Sequence, residues 1–175
     1  MRRVVSFVLS AALLALLGGC ASQQPNEDEK PPLTAQERTA LYQTAIESAA
    51  SPGANSFVEL VTSPEAQEAE LLFTMLDLEA EDMDAFCLAI SPVNVQAYGI
   101  AAVFPAGGKE DDVLDALNGF IDTQKENFQQ YLEEEYKVAS DARLETLEDG
   151  TILLVMCQDQ DTVFDAIRDA IEAGQ

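Results

Sequence analysis

The 175-residue chain has no histidine and no tryptophan, three cysteines, and nine lysine plus arginine residues against 32 aspartate plus glutamate. Without histidine, the Ser-His-Asp and Cys-His constellations of nucleophilic catalysis are excluded, as are zinc sites built on imidazole. Without tryptophan, the stacking platform that sugar sites favour is missing, which weighs against a lectin or glycosidase. The shortage of cations gives a formal net charge of −23. That excess repels phosphate backbones and anionic headgroups, so no nucleic-acid partner is expected. No G-x-S-x-G elbow, S-x-x-K motif or complete phosphate loop occurs. Gly107-Gly108-Lys109 ends like a phosphate loop, but Val103 stands where its first glycine belongs and Glu110 follows the lysine. The run reads as a strand-to-helix turn.

What the chain does contain begins at its N-terminus. Arg2 and Arg3 precede an apolar run from Val4 to Leu17, broken only by Ser6 and Ser10. The run is short for a membrane span and suits the hydrophobic region of a signal peptide. Leu17-Gly18-Gly19-Cys20 then supplies small residues before a thiol, the pattern of a bacterial lipobox. A thiol is what diacylglyceryl transfer needs, and small residues let the backbone enter the signal peptidase. Residues 1–19 are therefore expected to be a signal peptide and Cys20 the lipid-attachment site. Two or more acyl chains, at about 0.8 kcal/mol per buried methylene, anchor a protein stably. Ala21 places no acidic residue after the cysteine. The expected location is the outer face of the cytoplasmic membrane, with the lipid as the membrane contact.

Residues 20–32 contain ASQQPNEDEKPP, polar and proline-containing, and read as a flexible tether. Residues 1–19 hold two of the nine basic residues and no acidic one, so cleavage leaves seven against 32 and a net charge of −25. No basic patch assists the anchor. Residues 33–175 suit one domain with ample apolar content for a core.

Thr34 with Glu37 has capping-box spacing, and Leu41, Tyr42, Ala45, Ile46 and Ala49 form one helical stripe up to Ser51-Pro52-Gly53. Ser63-Pro64-Glu65 is expected to start a second helix carrying Leu71, Leu72, Met75 and Leu76. Strands are expected at 85–91, 98–104, 142–148 and 151–157, with Asp149-Gly150 as a tight primed hairpin turn. Between the hairpins, Val113, Leu117, Phe120, Ile121, Phe128, Tyr131 and Leu132 predict a long amphipathic helix from about Glu110 to Glu134. Glu110, Asp111 and Asp112 sit where the helix dipole favours anions. A last helix after Asp161 presents Val163, Phe164, Ile167 and Ile171. The order α-α-β-β-α-β-β-α predicts an α+β fold, a two-layer domain with a four-stranded sheet of two hairpins joined by the long helix. The strands at 85–91 and 151–157 are apolar on both faces and are expected at the centre, giving the spatial order second, first, fourth, third.

LTAQE at 33–37, SPVNVQAYGIAAVF at 91–104, NFQQY at 127–131 and GTILLVMCQD at 150–159, in this order behind a lipobox, resemble the bacterial lipoproteins that carry the domain of unknown function DUF4358. The resemblance implies an exported, membrane-tethered domain, mostly of single-membrane bacteria, and no assigned reaction. It departs from the family pattern near Leu132, where a proline is expected, at the end of the long helix.

The densest acidic cluster is Asp77, Glu79, Glu81, Asp82 and Asp84. Calcium favours several oxygens, but the cluster lacks the glycine and ligand spacing of an EF-hand, so a solvated face is the preferred reading. Asp159 and Asp161 are expected to be helix caps rather than ligands. Cys87 and Cys157 lie in apolar strands without a C-x-x-C motif. They are expected on one sheet face, on adjacent strands, buried and reduced rather than joined in a disulfide. No cofactor and no catalytic residue is expected. If all helices covered one face, Ala85, Cys87, Ala89, Leu153 and Val155 would be left on an open apolar face; the alternative is that the N-terminal helices cover it. The leading functional expectation is a non-enzymatic protein-binding or scaffolding lipoprotein with an unknown protein partner. A ligand- or cation-binding receptor component of a transport or sensing system is the alternative, and a carboxylate- and cation-dependent enzyme ranks last.

Overall fold

Helix α1 (Ala35–Ala49) starts where the sequence places it, because Thr34 and Glu37 close a reciprocal cap. The Thr34 amide donates to Glu37 Oε2 at 2.9 Å and the Glu37 amide to Thr34 Oγ1 at 3.3 Å, satisfying two donors that a helix start leaves open. The computed structural model describes residues 31–49, 58–93 and 95–175. Cys20, the expected signal segment and the expected Ser51-Pro52-Gly53 stop lie outside the described residues. The second helix, α2, runs Ala69–Leu76. It starts later than expected because residues 63–69 form successive turns, Ala66 N to Ser63 O and Ala69 N to Ala66 O. Leu72 and Leu76 are buried, whereas Leu71 is exposed.

Four antiparallel strands follow: β1 (Met83–Ile90), β2 (Gly99–Pro105), β3 (Arg143–Thr146) and β4 (Ile152–Met156). The expected α+β class and element order hold. The spatial order does not: it is β1-β2-β4-β3, so β1 is an edge strand and β2 is central. Two features let an edge strand be apolar on both faces. Val61 and Leu88 exchange both backbone hydrogen bonds, at 2.8 and 2.9 Å, covering part of the open edge of β1. Helices also cover both faces of the sheet. Apolar character on two faces therefore reports covered faces, not a central position.

The layering is one deeper than expected. On one face, Phe86, Leu88, Ile152, Leu154 and Met156 pack with Leu72 and Leu76 of α2 and with Val113, Leu117 and Phe120 of α3 (Glu110–Phe128). On the other, Ala85, Cys87, Ala89, Leu153 and Val155 pack with Tyr42, Ala45 and Ile46 of α1 and with Val163, Phe164 and Ile167 of α5 (Gln160–Gly174). The small side chains of β1 face the bulky Tyr42 and Ile46 of α1. The open apolar face is thus filled, by the first and last helices rather than by the two N-terminal ones.

The helix expected to reach Glu134 ends at Phe128, and a turn at 129–132 leads into α4 (Glu133–Ser140). Three glutamates open α4, at the end where a helix dipole favours anions. The β3–β4 turn also differs from the expected primed type, which needs positive φ at two positions. Only Gly150 has it (φ 89°), and the Leu147 amide bonds to Thr151 O at 2.7 Å across a three-residue loop.

Candidate functional site

The acids between 77 and 84 are held by distinct local devices. Asp77 ends α2 in the left-handed conformation (φ 55°), and the Leu78 amide reaches back to Phe73 O at 3.0 Å while the Leu78 side chain is buried. This is a Schellman-type end in which aspartate takes the place usually held by glycine. Glu79 and Asp82 cap the short 3-10 turn Ala80–Asp82, with the Glu79 amide donating to Asp82 Oδ2 at 2.8 Å. Asp82 Oδ1 also meets Lys109 Nζ at 3.0 Å. The Glu79 amide first, and Lys109 second, hold the Asp82 carboxyl below the usual carboxylate range. Asp84 is exposed at the irregular register between Met83 and Ala85. Among the described residues, no group of three or more His, Cys, Asp or Glu has the arrangement to hold a metal ion.

Asp77, Glu79, Glu81 and Asp82 line an open groove of about 1250 Å³ between α2, its following loop, and α3. Its apolar surface comes mainly from Phe73, Met75 and Ala116, because Leu76, Leu78 and Phe120 also line it but are buried. Phe73 packs edge-on against Phe86 of β1 with ring centroids 5.5 Å apart, which seats the α2 wall on the sheet. The α3 wall lies close to the sheet because β2 carries glycine at 99, where an added Cβ would come within 3.0 Å of the Phe120 ring. Glu70, Asp112 and Asp115 bring the lining carboxylates to seven, against Lys109 alone, which is itself bound to Asp82 and, at 3.1 Å, to Asp112. Gly119 lines the groove from the middle of α3. Nothing lies within 4 Å of where its Cβ would be. Packing within the domain therefore does not require a glycine there, although glycine costs a helix interior about 0.8–1.0 kcal/mol relative to alanine.

A second polar constellation escaped the sequence reading. Arg38 Nη1 donates to Asp149 Oδ2 at 2.5 Å, and the guanidinium lies 3.9 Å above the Phe104 ring. Asp149 accepts from the Thr151 amide and hydroxyl at 2.9 and 2.8 Å. The Thr151 hydroxyl spends its one proton on the carboxylate, so the Tyr42 phenol donates to Thr151 Oγ1 across their 2.6 Å contact. Burial raises the Tyr42 pKa above its ordinary value, with the nearby positive charge of Arg38 pulling the other way. The network is not part of the groove lining and fastens α1 to the β3–β4 turn. The signal in the sequence was the local Asp149-Gly150-Thr151 turn; its partners on α1 lie more than 100 residues away.

Asp159 occupies the cap position of α5 with φ 58° and no side-chain cap bond, while its carbonyl accepts from the Val163 amide at 3.2 Å. Asp161 pairs with Arg143 at 3.4 Å. Neither caps the helix with its side chain as expected. Cys87 and Cys157 are free, buried and on one sheet face, as expected, but not on adjacent strands. Cys87 faces Ala102 of β2, which in turn faces Leu153 of β4, four residues before Cys157. Two strand spacings separate them by about 10 Å across the sheet and four residues by about 13 Å along it, beyond the ~7 Å limit for bridging.

Burial pushes the Cys87 thiol up to about 12 and the Cys157 thiol up to about 11. Both should resist alkylation in the native domain at pH 8 and react fully once it is unfolded, read by mass spectrometry. Their folded-state pKa values exceed the unfolded ones, so their contribution is complete below the unfolded thiol pKa of about 8.5 and is lost as pH rises toward 12. Stability should fall over that window, and Cys87→Ala should flatten the fall.

Beyond β1, the loop that leads to β2 meets α4. The Ala97 amide in the β1–β2 loop donates to Glu135 Oε2 of α4 at 2.6 Å, beside the turn that exposes Tyr131. The profile of a family described as "Domain of unknown function (DUF4358)" matches residues 58–157. This chain belongs to that family. The DUF4358 match spans the whole sheet, the α2–α3 groove and α4, and leaves α1 and α5 outside it. Comparison with curated proteins and with solved structures gives no match.

Proposed function

We propose that this DUF4358 protein is a lipoprotein anchored through Cys20 on the outer face of the cytoplasmic membrane, and that its domain binds another protein rather than catalysing a reaction. The observation that carries the binding role is the α2–α3 groove, an open trough in which the partly exposed Phe73, Met75 and Ala116 lie among seven carboxylates. Protein recognition surfaces combine apolar side chains with polar ones in this way. The buried polar groups are already committed: every buried side-chain nitrogen and oxygen among the described residues has a hydrogen-bond partner. The anchor rests on the lipobox and on the charge of the chain, whose acidic excess gives the domain no attraction of its own for anionic lipid. No helix among the described residues is long and apolar enough to cross a membrane.

Mass spectrometry of the membrane fraction should find an acylated N-terminal Cys20, and Cys20→Ala should release the domain or leave an unprocessed precursor. Recovery of mature wild-type protein with residues 1–19 attached would end the lipoprotein reading. Crosslinking of the lipidated protein in its own membrane should capture a defined protein partner; wild-type protein that captures none would end the binding reading.

A further inference from the structure

We propose that the α2–α3 groove takes a cationic amphipathic helix of a partner protein, laid along α3 with its closest approach at Gly119. This rests on the protein-binding reading and names the chemistry of the partner. Charge selects the occupant. The groove lining holds seven carboxylates and one lysine, and that lysine is already shared between Asp82 and Asp112. Acids so placed repel one another and reward a partner that brings compensating cations.

Once residues 1–19 are removed, the rest of the chain offers no such occupant, since a second mature copy is as acidic as the groove. The 21–32 segment carries three acids and one lysine, and residues 50–57 carry no charge. Shape selects a helix. Ala116, Gly119 and Thr123 follow one another at spacings of three and four along the α3 side of the groove, the row that helix neighbours share. Gly119 leaves the backbone bare at the centre of that row, and the space above it is empty. A helical glycine that destabilises its own domain and relieves no contact within it is accounted for by close approach of another backbone.

The test uses the full-length protein in detergent and a fluorescent synthetic helix of about four turns, with one Leu/Ala face flanked by lysine and arginine. A control helix carries glutamate in place of every cation. Gly119→Leu replaces glycine with a good helix former, so it should raise Tm by about 2–4 °C. It also fills the floor and should weaken binding of the cationic helix about tenfold or more. Gly119→Ala should raise Tm similarly with a smaller loss, and keeps the comparison available if leucine disturbs the fold. Binding should weaken with salt and be absent for the glutamate helix. The proposal is overturned if the cationic helix does not bind at millimolar concentration, if the glutamate helix binds equally, or if both Gly119 variants bind like wild type. In the membrane crosslinking experiment, a partner captured equally by wild type and Gly119→Leu would remove the groove while leaving the protein-binding reading standing.

Discussion

Asp149→Ala is expected to destabilise the domain by about 3–5 kcal/mol, the usual effect of removing one member of a buried ion pair. Asp149 and Arg38 have side chains only 5% and 12% exposed, so the charge left behind on Arg38 has little access to water. The substitution also removes the acceptor for the Thr151 amide and hydroxyl and disturbs the Tyr42–Thr151 contact. Tyr42→Phe deletes one neutral hydrogen bond and should cost about 1 kcal/mol. Arg38→Met should fall between the two, because Asp149 keeps both of its Thr151 bonds. Urea unfolding monitored by circular dichroism ranks the three variants. A loss below about 1 kcal/mol for Asp149→Ala would mean that the network does not fasten α1 to the hairpin.

Phe164→Ala should cost about 3–5 kcal/mol, the range for emptying a fully buried aromatic site. The ring is completely buried on the α1–α5 side of the sheet, with the Arg143 guanidinium 3.9 Å above it. Arg143→Ala should cost much less. Its carboxylate partners Glu145, Asp161 and Asp165 are 49%, 82% and 50% exposed, and such pairs contribute little in water. The wider expectation concerns cooperativity. Both faces of β1, β2 and β4 are buried, so loss of the α5 layer strips one whole face of the sheet. Hydrogen exchange of Phe164→Ala should therefore show α5 and β1 losing protection to the same degree. Protection retained across β1 while α5 exchanges freely would show instead that the α1–α5 layer is an accessory to the part matched by the family profile.

Local signals were legible wherever a few neighbouring residues carry the physics. The Thr34–Glu37 cap, the helical stripes on α1, α3 and α5, the four strands and the family assignment all follow from short-range chemistry or from ordered motifs. The face of each strand residue was legible as well, since side chains alternate with a period of two. That is why Cys87 and Cys157 fall on one face as expected. Their separation was not legible. Alternation fixes the face of a residue but not which strand lies beside which, and an apolar pattern is the same for a central strand and for an edge strand covered by Val61 and two helix layers. The layer count escaped for the same reason, because a stripe on a helix shows that one side is buried without naming the surface that buries it. The groove and the Arg38–Asp149–Thr151–Tyr42 network belong to tertiary structure alone. The first exists only where α2, the loop after it and α3 come together over a common sheet. The second brings together side chains whose partners are chosen by how α1 docks on the β3–β4 turn, a geometry to which no local stretch of sequence refers.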